Sequence, residues 1–256
     1  NRTKQWFKEH YPDAEINEIY ACFGESGTYL GTYLLDDYVL SQNPDLVFLE
    51  YAINDRYANL TKEESRRGYE TIIRTIKERF PKCDIVSLIT LDYSTKGDAW
   101  YFEQAAAHAE VAGAYNVPVI FMGHALSDYI QKENKSWWTY FIDIVHPTDD
   151  GYAFYTDVIF EFLNNELCAK VLPDEYLADD TLPSLLSDYL LDGDRKLIQA
   201  DESTLAGCDK TVWSWCPGNY LDDAALRQKG FVAAKIEKNP TFVYTFTGTE
   251  LALYTN

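Results

Sequence analysis

Three stretches of the chain are apolar almost without interruption and too short to be helices. Asp45 to Tyr51 reads D-L-V-F-L-E-Y, Asp84 to Leu91 reads D-I-V-S-L-I-T-L, and Val117 to Met122 reads V-P-V-I-F-M. Runs of this kind predict strands buried on both faces. Ile16 to Cys22 is a weaker fourth candidate. Helical patterns lie around them. Arg2 to His10 is helix-like. Thr61 with Glu64 three residues on makes a capping box that opens a helix through Tyr69, Ile72, Ile73 and Ile76 to Phe80, where Pro81 stops it. Ala99 to Tyr115 is Ala-rich, and Gly151 to Leu167 places Phe154, Val158 and Phe162 on one apolar face. Strands alternating with helices predict right-handed crossovers and a three-layer, flavodoxin-like α/β domain around a parallel sheet.

The pattern changes after Cys168. Residues 171–205 carry Pro173, Pro183, many acidic residues and short helical patches such as Leu182 to Leu191. Beyond Gly207, Phe231 to Ile236, Phe242 to Phe246 and Leu251 to Tyr254 read as strands with a turn at Gly248-Thr249 and no helix between them. The expected organisation is therefore an α/β domain over 1–170, a linker over 171–205 and the start of a small antiparallel, jelly-roll-like β module over 206–256.

Charge narrows the partners. Lys and Arg total 22 against 41 Asp and Glu, a formal net charge of -19 over 256 residues. That balance argues against a nucleic-acid groove or a polybasic membrane contact, and no apolar run approaches the ~20 residues of a membrane span. Of the 5 Cys, Cys208 and Cys216 are close enough to bridge a local loop, and none has zinc-site spacing. Aromatic residues make up 15%, which serves core packing or flat surfaces for sugar rings. The chain opens at Asn1 in helix-like residues and stops at Asn256 in a strand-like pattern, and it reads as a piece of something longer.

In an open parallel sheet, ligands bind beyond the carboxyl ends of the strands. Three loops there carry unusual residues. Gly24-Glu25-Ser26-Gly27-Thr28 reads as a Gly-rich turn into a helix, with Thr28 or Ser26 as N-cap. Ala52-Ile53-Asn54-Asp55 follows the strongest strand and reads alone as turn residues. Asp143-Ile144-Val145-His146-Pro147 spaces a carboxylate and an imidazole so that they meet if the segment turns. Together they offer what acyl transfer needs: a base held by a carboxylate, and donors aimed where an oxyanion develops. His10, His108 and His124 show no metal-ligand spacing and read as surface or core histidines, His124 being the best placed to line a site. Tyr57, Trp137 and Trp138 either wall such a site or pack the core.

These loops resemble the SGNH (GDSL-type) hydrolase family. The matching stretches are Trp6 to Pro12, Gly24 to Gly31, Pro44 to Asp55 and Asp143 to Tyr152, and the resemblance covers roughly residues 1–168. It implies His146 as general base, Asp143 as its carboxylate partner and Asn54 as an oxyanion-hole donor. A backbone N–H at Gly24, or by strict counting at Glu25, is implied as the second donor. Ala52 stands where the family has Gly. The family's nucleophile lies in a G-D-S block at the end of the first, central strand, and no G-D-S occurs in this sequence. Ser26 lies in the wrong block. The nucleophilic Ser is thus expected upstream of Asn1, within roughly 20–50 residues. The resemblance implies a serine esterase that needs no metal or organic cofactor, with an acylated carbohydrate or small ester as substrate and a secreted or cell-surface setting. The alternative is a non-catalytic carbohydrate-binding protein that keeps the hydrolase fold.

Overall fold

The computed structural model describes residues 2–24, 26–95, 102–167 and 181–191, together with the backbone of 213–216 and 230–233. Two compact units divide the chain: residues 1–20 with 26–193, and residues 21–25 with 194–256.

In the first unit, β1 (Leu46–Leu49), β2 (Asp84–Leu88) and β3 (Val119–Ile120) form a parallel sheet in the order β1-β2-β3. The register pairs Leu46 with Asp84, Leu49 with Ser87 and Leu88 with Ile120. Side chains alternate between two cores, as the period of a strand dictates. Val47, Leu49 and Ile85 join the cluster containing Tyr69, Ile72, Ile73, Ile76 and Val111. Those residues come from α4 (Lys62–Arg79) and α5 (Glu103–Ala114). Leu46, Phe48, Val86 and Leu88 join Leu126, Trp137, Phe141 and Tyr155 on the other side, where α6 (Met122–Lys132), α7 (Trp137–Tyr140) and α8 (Asp149–Phe162) pack. Sheet and two helical layers match the expected α/β class.

The capping box forms as read: Thr61 Oγ1 accepts the Glu64 N–H, and the Glu64 carboxylate accepts the Thr61 N–H at 2.8 Å. α1 (Arg2–His10) also forms, with Trp6 buried. Four local expectations change. Ile16–Cys22 carries no strand; Ile19 and Tyr20 are exposed. α5 starts at Glu103, residues 96–101 being outside the described set. Leu182–Leu191 is not helical, because its backbone N–H groups go elsewhere. The fully buried Glu70 carboxylate accepts those of Leu186 and Ser187, each at 2.8 Å, and Thr71 Oγ1 accepts that of Leu191 at 2.9 Å. Finally, α2 (Thr28–Tyr38) is capped by neither Thr28 nor Ser26. Its N-cap is Gly27, and the Thr28 N–H that opens its first turn donates to Asp55, 27 residues further along.

In the second unit, β4 (Trp213–Cys216) and β5 (Gly230–Ala233) pair antiparallel. The strands read at 242–246 and 251–254, and the Cys208–Cys216 bridge, lie outside the described residues. Among the described residues no helix is long and apolar enough to cross a membrane.

Candidate active site

Residues 141–147 close a tight loop ahead of α8. Phe141 and Pro147 form an isolated antiparallel bridge, and the Ile142 N–H donates to the His146 carbonyl at 2.9 Å. Within this loop Asp143 Oδ1 accepts the backbone N–H of Val145 at 2.8 Å and of His146 at 2.7 Å. Asp143 Oδ2 lies 2.8 Å from His146 Nδ1. The backbone N–H of His146, then that of Val145, then the imidazole hold the Asp143 carboxyl down at about 2. A carboxylate only accepts, so the neutral imidazole carries its proton on Nδ1 and leaves the Nε2 lone pair for a substrate or nucleophile. The His146 side chain is 68% exposed, open to such a partner.

Asn54 lies in a short helix, α3 (Ala52–Tyr57), rather than in the turn its residue type suggested. Its Nδ2 donates to the Ser26 carbonyl at 3.0 Å. An amide nitrogen carries two N–H groups, so one donor remains. Ala52 is fully buried and is accommodated where the family has Gly.

The next residue, Asp55, ties this helix to α2. Its Oδ1 accepts the Thr28 N–H at 2.6 Å, and Oδ2 accepts Thr28 Oγ1 at 3.0 Å and Ser65 Oγ at 2.6 Å. His108 Nε2 lies 3.0 Å from the same Oδ2, with its ring stacked 3.9 Å from Tyr69. A Cβ at Gly27 would come 2.5 Å from Asp55 Oδ1, which is why glycine precedes Thr28.

Two contacts bring the Asp143–His146 loop beside α3. Val145 packs against the cluster containing Ala52 and Ile53. The buried Asp92, beyond β2, pairs with Arg56 of α3 at 3.3 Å, and the next residue, Tyr93, donates its N–H to the Ile144 carbonyl at 2.8 Å. Asp92 Oδ1 also accepts the N–H groups of Ser94 and Thr95 at 2.9 and 3.0 Å, which fixes the loop that Tyr93 heads.

The other sequence candidates scatter. Gly24 belongs to the second compact unit, and Glu25 is outside the described residues. Ser26 is buried, and its carbonyl accepts from Asn54. His10 stacks on Trp6 at 3.9 Å, and His124 pairs with Asp128 at 3.2 Å, one turn along α6. His108 is a core histidine. Trp137 is buried and Trp138 exposed, so the adjacent tryptophans have different jobs.

Glu50 directly follows β1 and lies outside the three loops that carry the sequence motifs. A carboxyl inside an otherwise apolar run was the available signal. Burial pushes it up from 4.5 to about 7, against the pull of the Thr90 hydroxyl and the Ile53 and Ala52 N–H groups. An acid whose folded pKa is raised costs stability once the unfolded chain can ionise. The fold should therefore weaken as pH climbs from about 4.5 towards 7 and stay weaker above that. Glu50→Gln removes the cost. Urea midpoints should show the variant more stable than wild type at pH 8, by about 3 kcal/mol at most, with the gap closing by pH 4.5. No gain at pH 8 would mean that the charge is well solvated.

A family profile described as the GDSL-like Lipase/Acylhydrolase family matches residues 1–154. No curated protein matches the chain as a relative. Among solved structures, a two-domain esterase (CEX) active on acetylated mannans aligns with TM-score 0.66 and 20% identity, covering 91% of this chain and 59% of that one. The chain thus spans about three fifths of that esterase's length. The acetyl xylan esterase AlAXEase aligns with TM-score 0.55 and 20% identity, covering 63% and 88% of the two chains. A catalytic mutant of Axe2, an acetylxylan esterase from Geobacillus stearothermophilus, aligns with TM-score 0.53 and 14% identity over 61% and 76%. At these identities the likeness is one of fold.

Proposed function

The chain belongs to the GDSL-like lipase/acylhydrolase family, and from that premise we propose that it carries the base and oxyanion half of a serine esterase acting on acetylated carbohydrates. The observation that supports this most is the Asp143–His146 pair, with Nδ1 engaged and Nε2 open. In the proposed reaction a serine N-terminal to Asn1 attacks the ester carbonyl carbon and His146 Nε2 takes its proton. Asp143, ionised down to about pH 2, stabilises the imidazolium that forms. The second Asn54 N–H binds the oxyanion. Collapse of the tetrahedral intermediate expels the sugar oxygen, to which His146 returns the proton. Water activated by His146 then hydrolyses the acyl-serine, releasing acetate and restoring the hydroxyl. The carbohydrate assignment is supported by structural neighbours that act on acetylated mannans and xylans. A polysaccharide substrate in turn favours a secreted or cell-surface setting.

Asn54→Ala in the full-length protein tests the oxyanion role. It should lower kcat for acetate release by about 10²–10³-fold with a smaller change in KM. A loss confined to KM would show that Asn54 binds substrate without stabilising the transition state.

A further inference from the structure

Trp137 and Trp138 are consecutive yet opposite in surroundings. Trp137 is 5% exposed, lies flat on Phe141 at 3.8 Å, and donates its Nε1–H to the Asp143 carbonyl at 3.3 Å. Trp138 is 55% exposed and lies near-parallel to Tyr93, at 16° with centroids 5.5 Å apart. Tyr93 meets Trp137 edge-on at 5.5 Å and donates its backbone N–H to Ile144. Both supports of the exposed pair thus end on the loop that holds Asp143 and His146. The Ile142 and Ile144 side chains of that loop are exposed as well. A large, exposed apolar surface fixed in place by buried neighbours is not accounted for by core packing and marks a contact site.

We propose, resting on the esterase reading of the same site, that Trp138 and Tyr93 form an aromatic platform seating a neutral pyranose ring of the substrate beside the ester to be cleaved. Flat ring faces suit the C–H face of a sugar, and aromatic rings supply contact area at little conformational cost. A chain of net charge -19 disfavours uronates and other anionic sugars. The platform is a specificity element: it binds the part of the substrate that does not react, and its effect is felt with oligosaccharide esters more than with small ones.

The test compares wild type, Trp138→Ala and Trp138→Phe in the full-length protein. kcat/KM is measured on acetylated xylopentaose and mannopentaose and on p-nitrophenyl acetate, and calorimetry follows binding of the unacetylated pentasaccharides. Trp138→Ala should lose at least tenfold more kcat/KM on one or both oligosaccharides than on p-nitrophenyl acetate, mainly through KM, and Trp138→Phe should recover most of it. Equal losses on all substrates, or no recovery by Phe, would overturn the platform while leaving the esterase reading intact. If the wild type cleaves no ester, the esterase reading fails and calorimetry decides the platform. Pentasaccharide binding weakened by Trp138→Ala keeps it, and absent or unchanged binding removes it.

Discussion

His146→Ala in the full-length protein should lower kcat for p-nitrophenyl acetate by about 10⁴-fold or more. The side chain is exposed and its hydrogen bond runs to Asp143 alone, so the thermal midpoint should move by no more than about 2 °C. Asp143→Asn separates geometry from electrostatics. Oδ1 of the amide can still accept the N–H groups of Val145 and His146 that shape the loop. An NH2 group opposite Nδ1 would favour the tautomer with its proton on Nε2, which cannot accept a proton from serine. Activity should therefore fall by about 10⁴-fold with the loop preserved. If His146→Ala keeps near-wild-type turnover, the base has been misassigned.

The largest stability loss should come from Asp55→Ala. The side chain is fully buried and serves Thr28, Ser65 and His108. Removing it strands the Thr28 N–H and hydroxyl, leaves Ser65 Oγ and His108 Nε2 with only each other at 3.0 Å, and leaves space where the carboxyl stood. Breaking such a pair costs about 3–5 kcal/mol, and a unit of this size should lose about 10 °C or more in Tm. Ser65→Ala removes one donor and leaves the carboxyl in place, so it should cost only about 1 kcal/mol. Asp55→Ala also frees the N-terminus of α2 and with it the Ser26 carbonyl that holds Asn54. Remaining folded Asp55→Ala protein should therefore show reduced kcat. Urea titrations giving Asp55→Ala and Ser65→Ala equal losses would contradict the clamp.

What the sequence disclosed was whatever depends on near neighbours. β1 and β2 were legible because strands covered on both faces must be apolar throughout, and α4 because Thr61 and Glu64 cap it within one turn. Asp143 and His146 were legible because a three-residue spacing and a local turn suffice to join them. The rest depends on distant partners. Asp55, 27 residues beyond Thr28, supplies the first-turn acceptor of α2 that a local cap would otherwise provide. Glu70 captures backbone more than 100 residues downstream and keeps 182–191 out of a helix. Ile16–Cys22 has strand-like residues, yet its exposed Ile19 and Tyr20 show that propensity without a pairing edge does not make a strand. The division between Trp137 and Trp138 depends on Phe141, which lies flat on Trp137, and on Tyr93, which meets Trp137 edge-on and Trp138 near-parallel, and adjacent residues cannot announce that.

The most direct test of the central claim is covalent. The full-length protein is treated with a fluorophosphonate ester, and the adduct is located by peptide mass spectrometry. A single phosphonylated serine N-terminal to Asn1, with labelling abolished by His146→Ala, is the predicted result. An adduct on a serine within residues 1–256, or labelling that His146→Ala leaves unchanged, would contradict it.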